Sequence, residues 1–167
     1  MEFEVIQGDI AAQTADVLVN AANTSLRMGS GVAGALKRAA GSGLDDEAVS
    51  KGPVDLGGVA TTDAYDLDAE YVVHAAAMPP GGSSTAESIR DATRNALEEA
   101  DSLDCASMVL PAIGCGIAGF DFEEGVRIIC ETIAAFEPTS LTDVRLIAYS
   151  DEDYDRIRQV ADEVRTA

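Results

Sequence analysis

Lysine, histidine and paired cysteines are scarce in this chain. Lys37 and Lys51 are its only lysines in 167 residues, and 11 Lys plus Arg stand against 30 Asp plus Glu, a net charge of −19. So acidic a surface argues against nonspecific nucleic-acid binding, which depends on Lys and Arg neutralising phosphates, and no direct nucleic-acid groove is expected. One histidine, His74, and three cysteines without a C-x-x-C pair are too few ligands for a structural zinc site. No metal is therefore expected. Cys105 and Cys130 read as small core residues, while Cys115 sits in a glycine loop, open to exposure but with no histidine near it in sequence to activate it. The chain also lacks any run of ~18 apolar residues, so no membrane span or membrane partner is expected. Its opening, MEFEVIQGDI, is strand-like and acidic, unlike a signal peptide, which places the expected address in the cytoplasm.

What is present is acid spread along the whole chain rather than gathered in a tail. Self-repulsion of that kind is screened over ~3 Å in molar salt, so the composition points to a halophilic protein. Hydrophobic residues make up 47%, and the length suffices for one full core. A single domain over 1–167 is expected.

The elements alternate. Strands are predicted over 2–7, 16–20, 57–64, 70–76, 106–111 and 143–149, the first with polar and apolar residues in alternation. Helices are predicted over 31–40 and 43–50, and a third opens at a capping-box-like Ser84-x-x-Glu87. That third helix carries Ile89, Ala92, Ala96, Ala100 and Leu103 at helical spacing. Phe122, Val126, Ile129, Ile133 and Phe136 mark the inner face of the next, and the last starts near Asp151 and buries Tyr154, Ile157, Val160 and Val164. This order implies a three-layer α/β/α sandwich around a central mixed, mostly parallel sheet.

Two stretches, GSGVAG (29–34) and GCGIAG (114–119), spell the dinucleotide fingerprint G-x-G-x-x-G. The fingerprint is informative only when a strand runs straight into its first glycine and an acidic residue ends the next strand about 20 positions on. The first stretch begins nine residues after Asn20; the second is followed by a strand ending some thirty residues later. Neither ends in G-K-[ST], which excludes a Walker loop. A nicotinamide dehydrogenase is disfavoured, and plain tight turns remain an alternative.

Open α/β sheets bind ligands beyond the carboxyl ends of their strands. Four stretches fall there: Gly8-Asp9-Ile10, Asn20-Ala21-Ala22-Asn23, GCGIAG, and Tyr149-Ser150-Asp151. Asp9 can accept from an exocyclic amine, Tyr149 offers a flat face to a base, and Asn23 can pair with ribose hydroxyls. The glycine loops bring backbone N–H groups to oxygens, and GSGVAG leads into a helix N-terminus. With only Arg27 and Lys37 nearby, a phosphate would be held mainly by amides. Each residue also has a plainer reading: Asp9 as a cap of 10–12, Asn20 as a strand-end support, Tyr149 as a core aromatic, His74 as partner to a backbone group.

In order and spacing, GDI (8–10), VNAAN (19–23), GSGVAGAL (29–36) and PAIGCGIAGF (111–120) resemble the signature segments of the macro domain, a family that binds ADP-ribose. The resemblance implies that Asp9 holds the adenine amino group with the Ile10 backbone alongside. It places Asn23 at the distal ribose, with Asn20 in the same segment. Gly31, Val32, Ala33 and Gly34 would form one wall of a diphosphate channel. Gly114, Cys115, Gly116, Ile117, Ala118 and Gly119 would form the other, with Phe120 or Tyr149 near base or ribose. It implies ADP-ribose as ligand, no required cofactor, and free ADP-ribose or ADP-ribosylated protein or nucleic acid as partner. The oligomeric state stays open.

Two positions depart from the family pattern. Hydrolytic members carry an aspartate where this chain has Ala33, and many members carry an aromatic residue where it has Ala118. General base catalysis contributes on the order of 10²–10⁴-fold, so binding is expected to survive these changes better than hydrolysis. Two functions remain: an ADP-ribose binder, or a hydrolase of ADP-ribosyl groups, O-acetyl-ADP-ribose or ADP-ribose 1″-phosphate. In the second, Asn23 would be the catalytic candidate, orienting water or the distal ribose.

Overall fold

The computed structural model describes residues 1–115 and 120–167. Six strands form one sheet in the order β1-β6-β5-β2-β4-β3: β1 is Glu4–Gln7, β2 Val17–Asn23, β3 Val59–Asp63, β4 Tyr71–Met78, β5 Ser107–Leu110 and β6 Asp143–Ala148. All neighbouring pairs are parallel except the edge strand β3, which runs antiparallel to β4. The helices are α1 (Gly31–Ala40), α2 (Leu44–Ser50), α3 (Ala86–Ser102), α4 (Phe122–Ala135) and α5 (Asp151–Thr166), with a 3₁₀ turn over Ile10–Ala12.

Alternation along the strands sorts the side chains into two cores. Val17, Val19, Val73, Met108, Leu110, Val144 and Leu146 pack on one face with α3, α4 and α5, through Ile89, Ala96, Ile129 and Ile157. Leu18, Val72, Val109 and Ile147 point the other way and pack with Leu36 of α1 and Leu44 of α2. A strand buried on both faces reads as a continuous apolar run, as VLV of β2 does. Burying each such side chain contributes ~1.5–3 kcal/mol relative to leaving it in water. The result is the three-layer α/β/α sandwich.

Three local expectations need correction. β2 runs on to Asn23 rather than stopping at Asn20, because Asn20, Ala21 and Ala22 continue the ladder with His74, Ala75 and Ala76 of β4. The α3 cap is Thr85, not Ser84. Thr85 Oγ1 accepts from Ser88 N–H at 3.0 Å while Ser88 Oγ accepts from Thr85 N–H at 2.8 Å. His74 pairs with side chains rather than a backbone group, since a strand's backbone groups are already taken up by its neighbours.

Candidate functional site

Because β1, β6, β5 and β2 are adjacent and parallel, their carboxyl ends line one edge of the sheet. Gly8-Asp9-Ile10 and Tyr149-Ser150-Asp151 fall there together with Gly114 and Cys115, the described start of the third stretch, and the segment ending at Asn23 arrives as the tip of β2 itself. Gly8 N–H donates to Ala148 C=O at 2.9 Å, tying the turn that carries Asp9 to the end of β6. Asp9 Oδ1 accepts from Ala11 N–H at 2.9 Å, so the residue does cap the 3₁₀ turn. Its side chain is nonetheless exposed, with its second oxygen available. Cap and acceptor are compatible roles. The Ile10 side chain is buried on the α1 face, which leaves only its backbone for a ligand. Tyr149 is 81% exposed, not a core aromatic. Next to it, Ser150 Oγ caps α5 by accepting from Asp153 N–H at 3.1 Å, and Gln7 Nε2 donates to Asp151 Oδ1 at 2.6 Å.

At the end of β2 the register with β4 slips between Ala22 and Asn23, a bulge of the kind that re-aims a side chain. Asn23 Oδ1 accepts from Ser25 N–H at 2.9 Å and from Ser25 Oγ at 2.5 Å. Its carbonyl oxygen is thereby held, and the half-buried residue keeps its Nδ2 donors for a partner. Ser25 was missed in the sequence, although an Asn two residues before a Ser is the signal for such a turn.

Asn20 does not join the crevice. It is 1% exposed. Asn20 Nδ2 donates to His74 Nδ1 at 3.0 Å, His74 Nε2 donates to Thr62 Oγ1 at 3.0 Å, and Thr62 Oγ1 donates to Asp63 C=O at 3.0 Å. This relay across three strands holds the imidazole neutral, and burial pushes its pKa down to about 4. Asn20 Oδ1 is buried without a partner among the described residues.

The first glycine loop enters α1 with Ser30 as its N-cap residue and Gly31 at φ +65°. A side chain at Gly34 would place its Cβ 2.8 Å from Gly29 C=O and 3.1 Å from the Arg38 guanidinium, so loop and helix touch backbone to backbone there. The loop is anchored to α2, where Asp45 Oδ1 accepts from Met28 N–H at 2.9 Å. That bond, helped by Lys37 at 3.3 Å, holds the Asp45 carboxyl below its ordinary range. Val32 is half-buried. Ala33 is 7% exposed and turns its methyl into the α1-side core. What the loop can offer at these positions is the N–H groups of a helix start, which favour an anion.

The second loop leaves β5 through Pro111. Gly114 adopts φ +72° and is wedged so that a Cβ would lie 3.0 Å from Ala77 and Ile89. Ser84, displaced from the capping role, donates from Oγ to Gly114 C=O at 2.5 Å. The Cys115 thiol is turned inward: a Cβ on Gly125 of α4 would sit 2.4 Å from its sulfur, and burial pushes its pKa up to about 12. The sequence leaves the thiol open to exposure, and the missing side chain at Gly125 makes room for the sulfur inside. Phe120 is half-buried against the α3–α5 core and bridges to Cys115. Gly116, Ile117, Ala118 and Gly119 lie outside the described residues.

Among the described residues no cluster of His, Cys, Asp or Glu is placed to hold a metal ion. Among the described residues no helix is long and apolar enough to cross a membrane. Two grooves lie away from the crevice, one of about 530 Å³ between α3 and α4, the other of about 610 Å³ at the amino ends of β1 and β6.

Comparison with known proteins agrees with this geometry. The macro domain family model matches residues 19–129. A protein of Saccharolobus solfataricus is 38% identical over 164 residues, covering 96% of this chain and 92% of its own. A Mycobacterium tuberculosis protein is 40% identical over 151 residues, 90% of this chain. The chain spans only 42% of the length of that relative. Among solved structures, an Oceanobacillus iheyensis macrodomain, a Gly-to-Val mutant with ADPR, superposes with a TM-score of 0.87 at 27% identity, covering 98% of this chain and 93% of the other. A Trypanosoma brucei macrodomain in complex with ADP-ribose gives a TM-score of 0.84 at 25% identity, covering 93% and 67%.

Proposed function

The chain belongs to the macro domain family, and from that premise we propose that it binds ADP-ribose along the carboxyl edge of its sheet. The observation that carries this reading is the alignment of Asp9, Tyr149, Gly114 and Asn23 at the ends of four adjacent parallel strands. In the bound state the free oxygen of Asp9 accepts from the adenine amino group while the Ile10 N–H lies beside the ring. The exposed Tyr149 ring covers the base or its ribose. The diphosphate lies between the start of α1 at Gly31 to Gly34 and the loop from Gly114 to Gly119. Asn23 donates from Nδ2 to the distal ribose, its amide orientation already fixed by Ser25.

Binding rather than turnover is the activity that these side chains favour. Ala33 supplies no carboxylate, and its methyl faces the core, so a water at the distal ribose has no general base from that position. Asn23 can orient but not deprotonate. The partners are free ADP-ribose or the same group carried on protein or nucleic acid. The setting we assign is a salt-rich cytoplasm, on the strength of the −19 charge.

Titration calorimetry in molar KCl is expected to give micromolar ADP-ribose affinity. Absence of heat at millimolar ligand overturns the reading. Incubation with mono-ADP-ribosylated protein, O-acetyl-ADP-ribose and ADP-ribose 1″-phosphate is expected to match the enzyme-free blank. Release well above it, lost in Asn23→Ala, would assign the hydrolase role instead.

A further inference from the structure

The groove between α3 and α4 carries a charge pattern that the crevice does not explain. Arg90 and Arg94 stand one turn apart on the exposed side of α3. Among the described residues neither forms an ion pair; Lys37, Lys51, Arg127, Arg145, Arg156 and Arg165 do, and of the other unpaired cations, Arg27, Arg38 and Arg158, none lines this groove. Carboxylates are within helical reach at Glu87, Asp91 and Glu98, and like charges one turn apart are mildly destabilising in a helix. Two unpaired arginines side by side in a chain of charge −19 are suited to a partner from outside.

The rest of the groove restricts that partner. Its floor is Ile128, Thr132, Ala135 and Phe136, and its far end carries Glu98, Glu131 and Glu137. Both helices return from strands of the same parallel sheet, so they run in the same direction. The arginines therefore lie toward the amino-terminal end of the groove and the carboxylates toward its carboxyl-terminal end. A small anion or an acidic peptide lying along the groove would meet the three carboxylates. The surface that matches cations at one end and carboxylates at the other is the same surface turned around.

We propose that the α3–α4 face pairs with a second copy of this chain about a two-fold axis. The two α3 helices run antiparallel, Arg90 and Arg94 of each copy meet the carboxylates at the second copy's far end, and Ile128 and Phe136 are covered between them. A two-fold contact of this kind is isologous, each patch being its own complement. With α3 about 25 Å long and a face two helices wide, roughly 1,000 Å² in total is buried, at the small end of specific interfaces. The dimer is accordingly reversible. The crevice lies beyond the carboxyl ends of the strands, off the amino-terminal ends of these helices rather than on the outer face that pairs. The pairing is independent of the ADP-ribose reading.

Sedimentation equilibrium over micromolar to millimolar protein tests this in molar KCl, where repulsion between the acidic copies is screened. A concentration-dependent dimer is expected. Arg90→Glu/Arg94→Glu and Glu98→Arg/Glu131→Arg should each be monomeric with an unchanged circular dichroism spectrum, and an equimolar mixture of the two should restore the dimer. A wild-type monomer throughout the range overturns the proposal. So does a dimer that persists in either folded variant, or a mixture that stays monomeric.

Discussion

ADP-ribose affinity should rise with salt, the reverse of the usual behaviour of anion-binding proteins. Spreading the −19 charge over a sphere of ~20 Å radius, the size of a compact chain of this length, puts a ligand of charge about −2 in a repulsive field of ~8 kcal/mol before screening. With Debye lengths of ~10 Å at 0.1 M and ~3 Å at 1 M, screening divides this by ~3 and ~8 respectively, leaving ~2.6 and ~1 kcal/mol. The difference of ~1.6 kcal/mol is about fifteenfold in affinity. The opposing term is limited, because the proposed diphosphate walls offer backbone amides and the nearby Lys37 is already paired with Asp45 at 3.3 Å, which leaves Arg27 and Arg38 as the exposed cations beside the loop without an ion pair among the described residues. Calorimetric titrations in a KCl series should show the dissociation constant falling by about an order of magnitude between 0.1 and 1 M, with uncharged adenosine as a control that changes little. A constant that rises with KCl would refute the reasoning and imply a diphosphate held by unpaired side-chain cations.

The remaining predictions concern single residues. Gly34→Val drives a branched side chain at Gly29 C=O, 2.8 Å from where the Cβ must sit; ADP-ribose affinity should fall by about tenfold or more through displacement of the loop, with a smaller change in thermal midpoint. Asp9→Asn keeps an oxygen to cap the 3₁₀ turn but loses the carboxylate, so it should weaken ADP-ribose binding with little loss of stability. Asp9→Ala should cost about 0.5–2 kcal/mol of local stability as well. A ligand with hypoxanthine in place of adenine should bind the wild type poorly, and an equal affinity would remove Asp9 from the adenine site. His74 has a folded pKa of about 4 against ~6.5 unfolded, so between these values the unfolded state holds the extra proton. Stability therefore falls as pH drops through that window, by about 2 kcal/mol from pH 7 to 5, and urea titrations of the wild type and His74→Gln should show the variant free of this slope. The Cys115 thiol, at about 12, should resist iodoacetamide in the native state and react only on unfolding.

How far the sequence discloses these features depends on whether local pattern or tertiary register decides them. The layers were legible because every strand of the sheet's interior splits its apolar residues between the two faces, Val17 and Val19 to one and Leu18 to the other, and alternation is a local signal. The extension of β2 through Asn20–Asn23 was not. Alanine and asparagine have poor strand propensity, and that segment is held by its ladder to β4. Asn20 and Asn23, both counted among the site candidates in VNAAN, separate for the same reason. In register opposite His74, Asn20 turns inward with the Leu18 face, while the slip after Ala22 releases Asn23 toward the strand ends. Tyr149 followed the opposite course: a tyrosine ending an apolar strand reads as core, yet β6 stops at Ala148 and the ring emerges beyond it. The second loop shows the limit most directly, since nothing near Cys115 in sequence signals that Gly125, ten residues on, leaves the space its sulfur occupies. Side chains whose direction depends on a register or on a neighbour's missing Cβ are invisible to periodicity, and that dependence turns Asn20 and Cys115 inward while it leaves Asn23 at the strand ends.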